Sequence, residues 1–297
     1  MSEPIVVEVR RNGIVEATHQ VHAVAVRDGA VVAEAGDGAL TCFMRSSSKP
    51  LQALPLARAR DDLTDADLAI ACASHAALPA QIDAVRALLA KAPAEEDDLE
   101  CGLQEGRPRE RIFHNCSGKH AGMLALCRAR GWPTEGYRLP AHPVQLGCRA
   151  VHAEAAEVGE DELPTATDGC GVVTFALPLE RMAHAFSRLE RLPAGARVAD
   201  ALRARPDLVG SSDGADVLLM QRLPGWVAKG GAEGLLCATG PGGLGLALKS
   251  EDGASRAHRP ALAAFLALLE IDPPDGFAVV PVSNSRGETV GEIGFSS

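Results

Sequence analysis

The sequence predicts an α+β fold in which one antiparallel sheet is built from strands at both ends of the chain, flanked by helices and interrupted by a helical insertion. Three observations carry this expectation. Residues 4 to 35 alternate in strand fashion, with Asn12-Gly13 and Asp28-Gly29 as hairpin turns. From Leu51 to about Arg203 apolar residues recur at helical spacing. After Asp207 strand-like runs return and close the chain. A length of 297 residues is enough for a large core, and the chain reads as one domain, 1–297, with the helical part roughly 51–203 inserted between the sheet-forming ends.

An antiparallel opening disfavours a doubly wound nucleotide fold. The apolar segment Leu40 to Met44 leads into Arg45-Ser46-Ser47-Ser48-Lys49-Pro50, where Pro50 takes a first-turn helix position that needs no N–H. Helices are expected over Ala66 to Ala73, Pro79 to Ala92, His120 to Arg130, Pro143 to Val158 and Pro178 to Arg191. Residues 92 to 98, Ala-Pro-Ala-Glu-Glu-Asp-Asp, form a solvated connector. A short helix near Ala215 to Arg222 precedes strands near Leu235 to Thr239 and Leu244 to Lys249. The helix Arg259 to Ile271 and terminal strands near Phe277 to Val282 and Thr289 to Phe295 complete the chain. Gly240-Pro241-Gly242-Gly243-Leu244-Gly245 matches G-x-G-x-x-G in form, but a strand follows it, so it reads as a hairpin turn.

The net charge is −10, with no basic stripe interleaved with aromatics, which argues against nucleic acid or an anionic membrane as partner. A small neutral or zwitterionic substrate fits better. No apolar run approaches the roughly 20 residues that span a bilayer, and Met1 to Arg10 lacks the pattern of an export signal, so a cytoplasmic location is expected. Eight scattered cysteines, none in a Cys-x-x-Cys pair, then read mostly as small buried hydrophobes. Only five of the 29 basic residues are lysines, which leaves 24 arginines, and three of the five lie in Gly/Ser/Cys-rich motifs. Lysine can lose its proton or ligate a metal, whereas arginine cannot.

Ser46 and Lys49, three residues apart, lie on one face if a helix begins near Ser46. Ser-x-x-Lys supplies a hydroxyl nucleophile, an amine base, and helix N–H groups for a developing oxyanion. The lysine must be neutral to act, so burial or nearby cations must lower its pKa. Taken alone, the motif also reads as a helix cap followed by a solvated lysine. Cys72-Ala73-Ser74-His75 offers a second hydroxyl for proton transfer, or else a capped helix end. Lys229-Gly230-Gly231 is the Lys-x-Gly element that borders the nucleophile on an edge strand of penicillin-recognising enzymes; its bland reading is a glycine-rich turn. Cys116, Cys170 and His120, from His114-Asn-Cys-Ser-Gly-Lys-His120 and Thr167-Asp-Gly-Cys-Gly171, are candidate zinc ligands by their chemistry, against a buried-cysteine reading. His19, His22, His142, His152, His184 and His258 read as surface or core histidines, and Trp132, Trp226 and Tyr137 as packing residues.

With these motifs in register, the chain resembles the L-asparaginase II family, the rhizobial-type asparaginases, over nearly its whole length. The resemblance implies a fold like that of serine β-lactamases and glutaminases, and hydrolysis of L-asparagine to aspartate and ammonia. It implies Ser46 as nucleophile, Lys49 as base, and Ser74 with Lys229 beside them. It places Arg45, His120 and Asp168 near the substrate, with Asp168 suited to an α-amino group. The zinc ligands it implies are Cys116, Lys119 and Cys170, so His120 leaves the ligand set. It also implies a homodimer. One departure stands out: the family pattern Ser-His-x-Gly-Glu is here Ser74-His75-Ala76-Ala77-Leu78. Rival readings are a glutaminase or other small-amide amidohydrolase, a penicillin-binding enzyme, disfavoured by the missing export signal, and an amino-acid-binding protein whose catalysis has lapsed.

Overall fold

The computed structural model describes residues 2–296. Eleven strands form two sheets: β1 (Ile5–Arg11), β2 (Ile14–Arg27), β3 (Ala30–Ala35), β4 (Thr41–Phe43), β5 (Thr165–Thr167), β6 (Val173–Pro178), β7 (Val227–Gly231), β8 (Leu235–Gly240), β9 (Leu244–Ser250), β10 (Val279–Ser283) and β11 (Thr289–Phe295). The main sheet runs β10-β11-β1-β2-β9-β8-β7, with β3 also paired to β2. Its pairs are antiparallel, and Val7 of β1 faces Phe295 of β11, so both ends of the chain build it. The expected α+β architecture is therefore the observed one.

Local chemistry explains the hairpins. Asn12 and Gly13 have φ of 47° and 78°, and Asp28 and Gly29 have 49° and 82°. Two successive positive φ values match the twist of the flanking strands. The glycine-rich run after β8 is a turn into β9, as expected.

The interior of the chain is less purely helical than its periodicity implied, because β5 and β6 join β4 in a three-stranded sheet. Buried on nearly every position, Val173–Pro178 has no alternation to read, and β5 is only three residues long. Pro178 ends β6 opposite Thr41, so the helix expected from Pro178 begins at Leu179 and ends at Ser187. The last long helix spans His258–Leu268, shorter than expected.

Leu179–Ser187 packs on β2 and β9, while His258–Leu268 packs on β1 and β11. In the inserted part, helices Asp65–Ala71, Pro79–Lys91 and Ser117–Arg130 pack together. The first is started by Thr64, whose N–H and hydroxyl both reach Asp67 Oδ2 at 2.7 Å. Gly118 lets the third approach it: a methyl group there would sit 2.2 Å from Ile70 O. This contact brings the Cys116–Lys119 turn beside the Cys72–Ser74 helix end. Among the described residues no helix is long and apolar enough to cross a membrane. All eight cysteines are free, and seven are buried.

Candidate active site

β4 runs directly into the Ser46 turn. The Met44 N–H donates to Phe175 O at 2.8 Å, and the Arg45 N–H to Thr174 Oγ1 at 3.1 Å, which ties the turn to β6. Arg45 has φ of 48°, a left-handed conformation that costs a non-glycine residue about 1–2 kcal/mol. Its Nε donates to Asp168 Oδ1 at 2.6 Å, which helps to hold it there. A 3-10 turn, Arg45–Ser48, then continues into the short helix Lys49–Gln52 with Pro50 in its first turn. Ser47 Oγ donates to Met44 O and Ser48 Oγ to Arg45 O. The half-buried Ser46 hydroxyl makes no hydrogen bond within the described residues and lines a cleft of about 550 Å³.

Lys49 does not meet Ser46, contrary to the expectation from their spacing. Fully buried, its Nζ donates to Ala73 O, to Ser74 Oγ at 2.9 Å and to Cys116 Sγ at 3.3 Å. The long side chain instead carries the amine to the segment that bears Ser74 and to Cys116. Burial pushes the Lys49 pKa below its ordinary value; Cys116 works against that shift, and the charges of Lys119 and Lys229 add to it.

Ser74 also lines the cleft, and its N–H donates to Val209 O at 2.8 Å. The loop after it is latched by Gln81. That side chain accepts the N–H groups of Ala76 and Leu78 through Oε1 and donates to Asp207 O and Gly210 O through Nε2. At Ala77, where the family has glycine, φ is 62°. His75 is held neutral: burial, then the charge of Lys49, pushes its pKa down to about 3. Its Nε2 pairs with Ser117 Oγ, whose own proton goes to Ile112 O.

Lys229 stands on β7, the edge strand of the main sheet, and is 1% exposed. Its Nζ lies 3.2 Å from Asp216 Oδ2 and 2.8 Å from Gly230 O. Burial pushes the Asp216 carboxyl up, but Lys229 and the Gly230 and Val217 N–H groups bring it below its ordinary value. A methyl group at Gly231 would sit 3.0 Å from Met44 O and 3.1 Å from Ser47 N, so glycine lets β7 lie against the Ser46 turn. Asp216 carried no sequence signal, because its motif, Gly-Ala-Asp, resembles any helix start.

Behind Lys49 lie two thiols and a second buried lysine. Lys119 Nζ is 3.0 Å from Cys170 Sγ, and Cys170 shares a hydrogen bond with Cys116. That bond, against burial and with the help of Lys49 and Lys119, lowers the Cys116 thiol well below its ordinary value; it raises Cys170, as does burial. Burial opposes the Lys119 ammonium, yet Cys170 and Cys116 hold its pKa high. Two soft sulfurs and an amine, the amine in contact with one of the sulfurs, suit zinc by donor type. Among the described residues, no group of three or more His, Cys, Asp or Glu side chains is arranged to hold a metal, so a site here depends on lysine as the third ligand.

Asp168 pairs with Arg45, and although burial raises its pKa, Lys119 and Arg45 bring it below the ordinary value. His120 is fully buried away from the cleft lining. Its Nδ1 is 2.6 Å from the hydroxyl of Tyr137, which accepts the Glu100 N–H, and its Nε2 has no partner among the described residues. Tyr137, read from sequence as a packing residue, thus fixes the ring of His120. Ser46, Ser74 and Lys229 share the cleft, with Lys49 beneath Ser74 and the cysteine cluster beneath Lys49.

The family model described as L-asparaginase II matches residues 7–295 of this chain. No curated protein matches it.

Proposed function

The chain belongs to the L-asparaginase II family, an asparaginase-type amidohydrolase family, and on that premise we propose that it converts L-asparagine to L-aspartate and ammonia through a serine acyl-enzyme. The observation that carries this reading is a buried lysine with a depressed pKa in contact with a cleft serine, next to a second cleft serine whose hydroxyl is uncommitted.

A neutral amine has two N–H groups and one lone pair. With the N–H groups directed to Ala73 O and Cys116, the Lys49 lone pair accepts the Ser74 proton, and Ser74 Oγ in turn accepts that of Ser46. Ser46 Oγ attacks the side-chain amide carbon, while backbone N–H groups, that of Ser46 among them, hold the oxyanion. The proton gathered on Lys49 returns through Ser74 to the amide nitrogen, and the C–N bond breaks to release ammonia. Water then attacks the ester, gives its proton to the same relay, and frees aspartate and Ser46. Lys229, together with Lys119 or the zinc that Lys119 would hold, favours the neutral amine by charge repulsion.

Cys116, Lys119 and Cys170 are the residues that would hold zinc, which supplies a fixed positive charge for orienting substrate. Asp168 is the acid suited to the substrate's amino group, next to Arg45.

The test is ammonia release from L-asparagine, L-glutamine and no substrate, with Ser46→Ala beside the wild type. Release from asparagine that vanishes in Ser46→Ala is the expected result; undiminished turnover in that variant would sink the serine assignment. A cleft of about 550 Å³ leaves room for one more methylene, so a glutaminase is the second reading, and preferential release from glutamine would establish it.

A further inference from the structure

The cleft that contains Ser46, Ser74 and Lys229 has a second part, lined by Arg256 and Arg259 near the start of the helix His258–Leu268. Arg256 is exposed and Arg259 half-buried. A guanidinium brought partly out of water is normally paired with an acid, and that of Arg259 is not. Arg256 Nε donates to His19 Nε2 at 2.9 Å, and His19 is fixed by its Nδ1, 2.6 Å from Asp252 Oδ2, so the imidazole braces the arginine. The terminal nitrogens of Arg256 have no acceptor among the described residues. Arg259, half-buried, makes no hydrogen bond or ion pair there at all; burial lowers its pKa, with Asp213 acting against that shift from beyond ion-pair distance.

The other acid of the cleft is committed. Asp216 receives Lys229 and the N–H groups of Gly230 and Val217. The lining therefore holds three cations, Lys229, Arg256 and Arg259, against two carboxylates, Asp213 and Asp216, in a chain whose net charge is −10. A local positive excess inside an acidic protein draws an anion to that place. The substrate has one to offer. Arg45, the other arginine near Ser46, is already paired with Asp168.

We infer that Arg259 is the carboxylate anchor of this cleft, with Arg256 beside it, so that the site selects amides that carry a free carboxylate. The inference rests on the amidohydrolase reading of Ser46. A planar guanidinium with no internal partner can take both carboxylate oxygens at once, at no cost of breaking an existing pair.

Arg259→Gln and Arg259→Lys in the full chain test it, with kcat and KM measured on L-asparagine and on 3-aminopropanamide, the same molecule without its carboxylate. In Arg259→Gln the KM for asparagine rises about tenfold or more with kcat little changed, and Arg259→Lys loses less. The kcat/KM for 3-aminopropanamide stays at its wild-type value; if that amide is not turned over, the asparagine measurement decides alone. Equal losses on both substrates, or no loss on asparagine, overturn the anchor. If the wild type hydrolyses neither, the amidohydrolase reading has failed by itself, and calorimetric binding of L-aspartate decides the anchor. Binding weakened about tenfold in Arg259→Gln supports it, whereas equal binding, or none to the wild type, overturns it. Circular dichroism reports folding, and Arg259→Lys, which keeps the charge without the fork, carries the comparison if Arg259→Gln does not fold.

Discussion

Lys49 Nζ lies 2.9 Å from Ser74 Oγ and makes no hydrogen bond to Ser46, although Ser46 is the serine that the Ser-x-x-Lys spacing couples to it. Ser74 thus stands between the base and the cleft. Ser74→Ala is expected to lower kcat about 10²- to 10³-fold with little change in KM. In the Ser74→Ala/Lys49→Ala double variant the losses do not multiply, because both residues serve one proton path. Near wild-type turnover in Ser74→Ala would mean that Lys49 reaches Ser46 directly.

Asp216 and Lys229 form a buried pair whose members depend on each other. Asp216→Ala leaves an unpaired ammonium inside the protein and is expected to cost about 3 kcal/mol of stability, read from the denaturant midpoint. Adding Lys229→Met removes the orphaned charge and recovers most of that loss. A double variant as unstable as Asp216→Ala would locate the penalty in packing instead.

Ala77 holds a left-handed φ of 62° in the loop that carries Ser74. Relief of that strain outweighs the entropy that glycine adds to the unfolded chain, so Ala77→Gly is expected to stabilise by up to about 1 kcal/mol. Thermal melting checks it, and a clear fall in melting temperature would show that the Ala77 methyl group is needed.

Buried His152 donates through Nδ1 to Cys148 O at 2.7 Å, and burial pushes its pKa down to about 4. The unfolded chain takes up this proton near pH 6.5, before the folded one does. Stability from this group is therefore complete above about pH 6.5 and declines as pH falls towards 4, by about 3 kcal/mol in all. His152→Gln should flatten the acid limb of a stability–pH profile across that window. An unchanged slope would assign the acid sensitivity to other groups.

For the cysteine cluster, metal analysis of purified protein is expected to find about one zinc per chain, lost in Cys116→Ala and in Cys170→Ala. Lys119→Arg is the sharper probe. It keeps a cation beside Cys170 but removes the amine nitrogen that contacts that sulfur. Full zinc content in Lys119→Arg would remove lysine from the ligand set.

The opening strands were legible because their signals are local: Asn-Gly and Asp-Gly turns, and alternation along β1 and the first half of β2. β6 was not, since burial on both faces erases the alternation. Within the candidate site, Ser46, Ser74 and Lys229 were found through motifs that each fit in a few residues. Asp216 and Gln81 were missed because partners of theirs lie on other elements, Lys229 for Asp216 and Asp207 and Gly210 for Gln81, and Arg259 was missed because it has no partner among the described residues to mark it. Spacing also misjudged Lys49, since it sets which residues share a face but not which of several nearby acceptors a long side chain reaches.

The pairing of β1 with β11, Val7 opposite Phe295, has a consequence for synthesis. β1 and β2 leave the ribosome long before β11, yet the sheet between them and β10 cannot be completed until β11 emerges. Until then one side of β1 is an open edge waiting for almost the whole chain to be translated, which is the circumstance in which nascent proteins need chaperones. Ribosomes stalled before residue 289 would release chains that carry every motif of the cleft on an unfinished sheet.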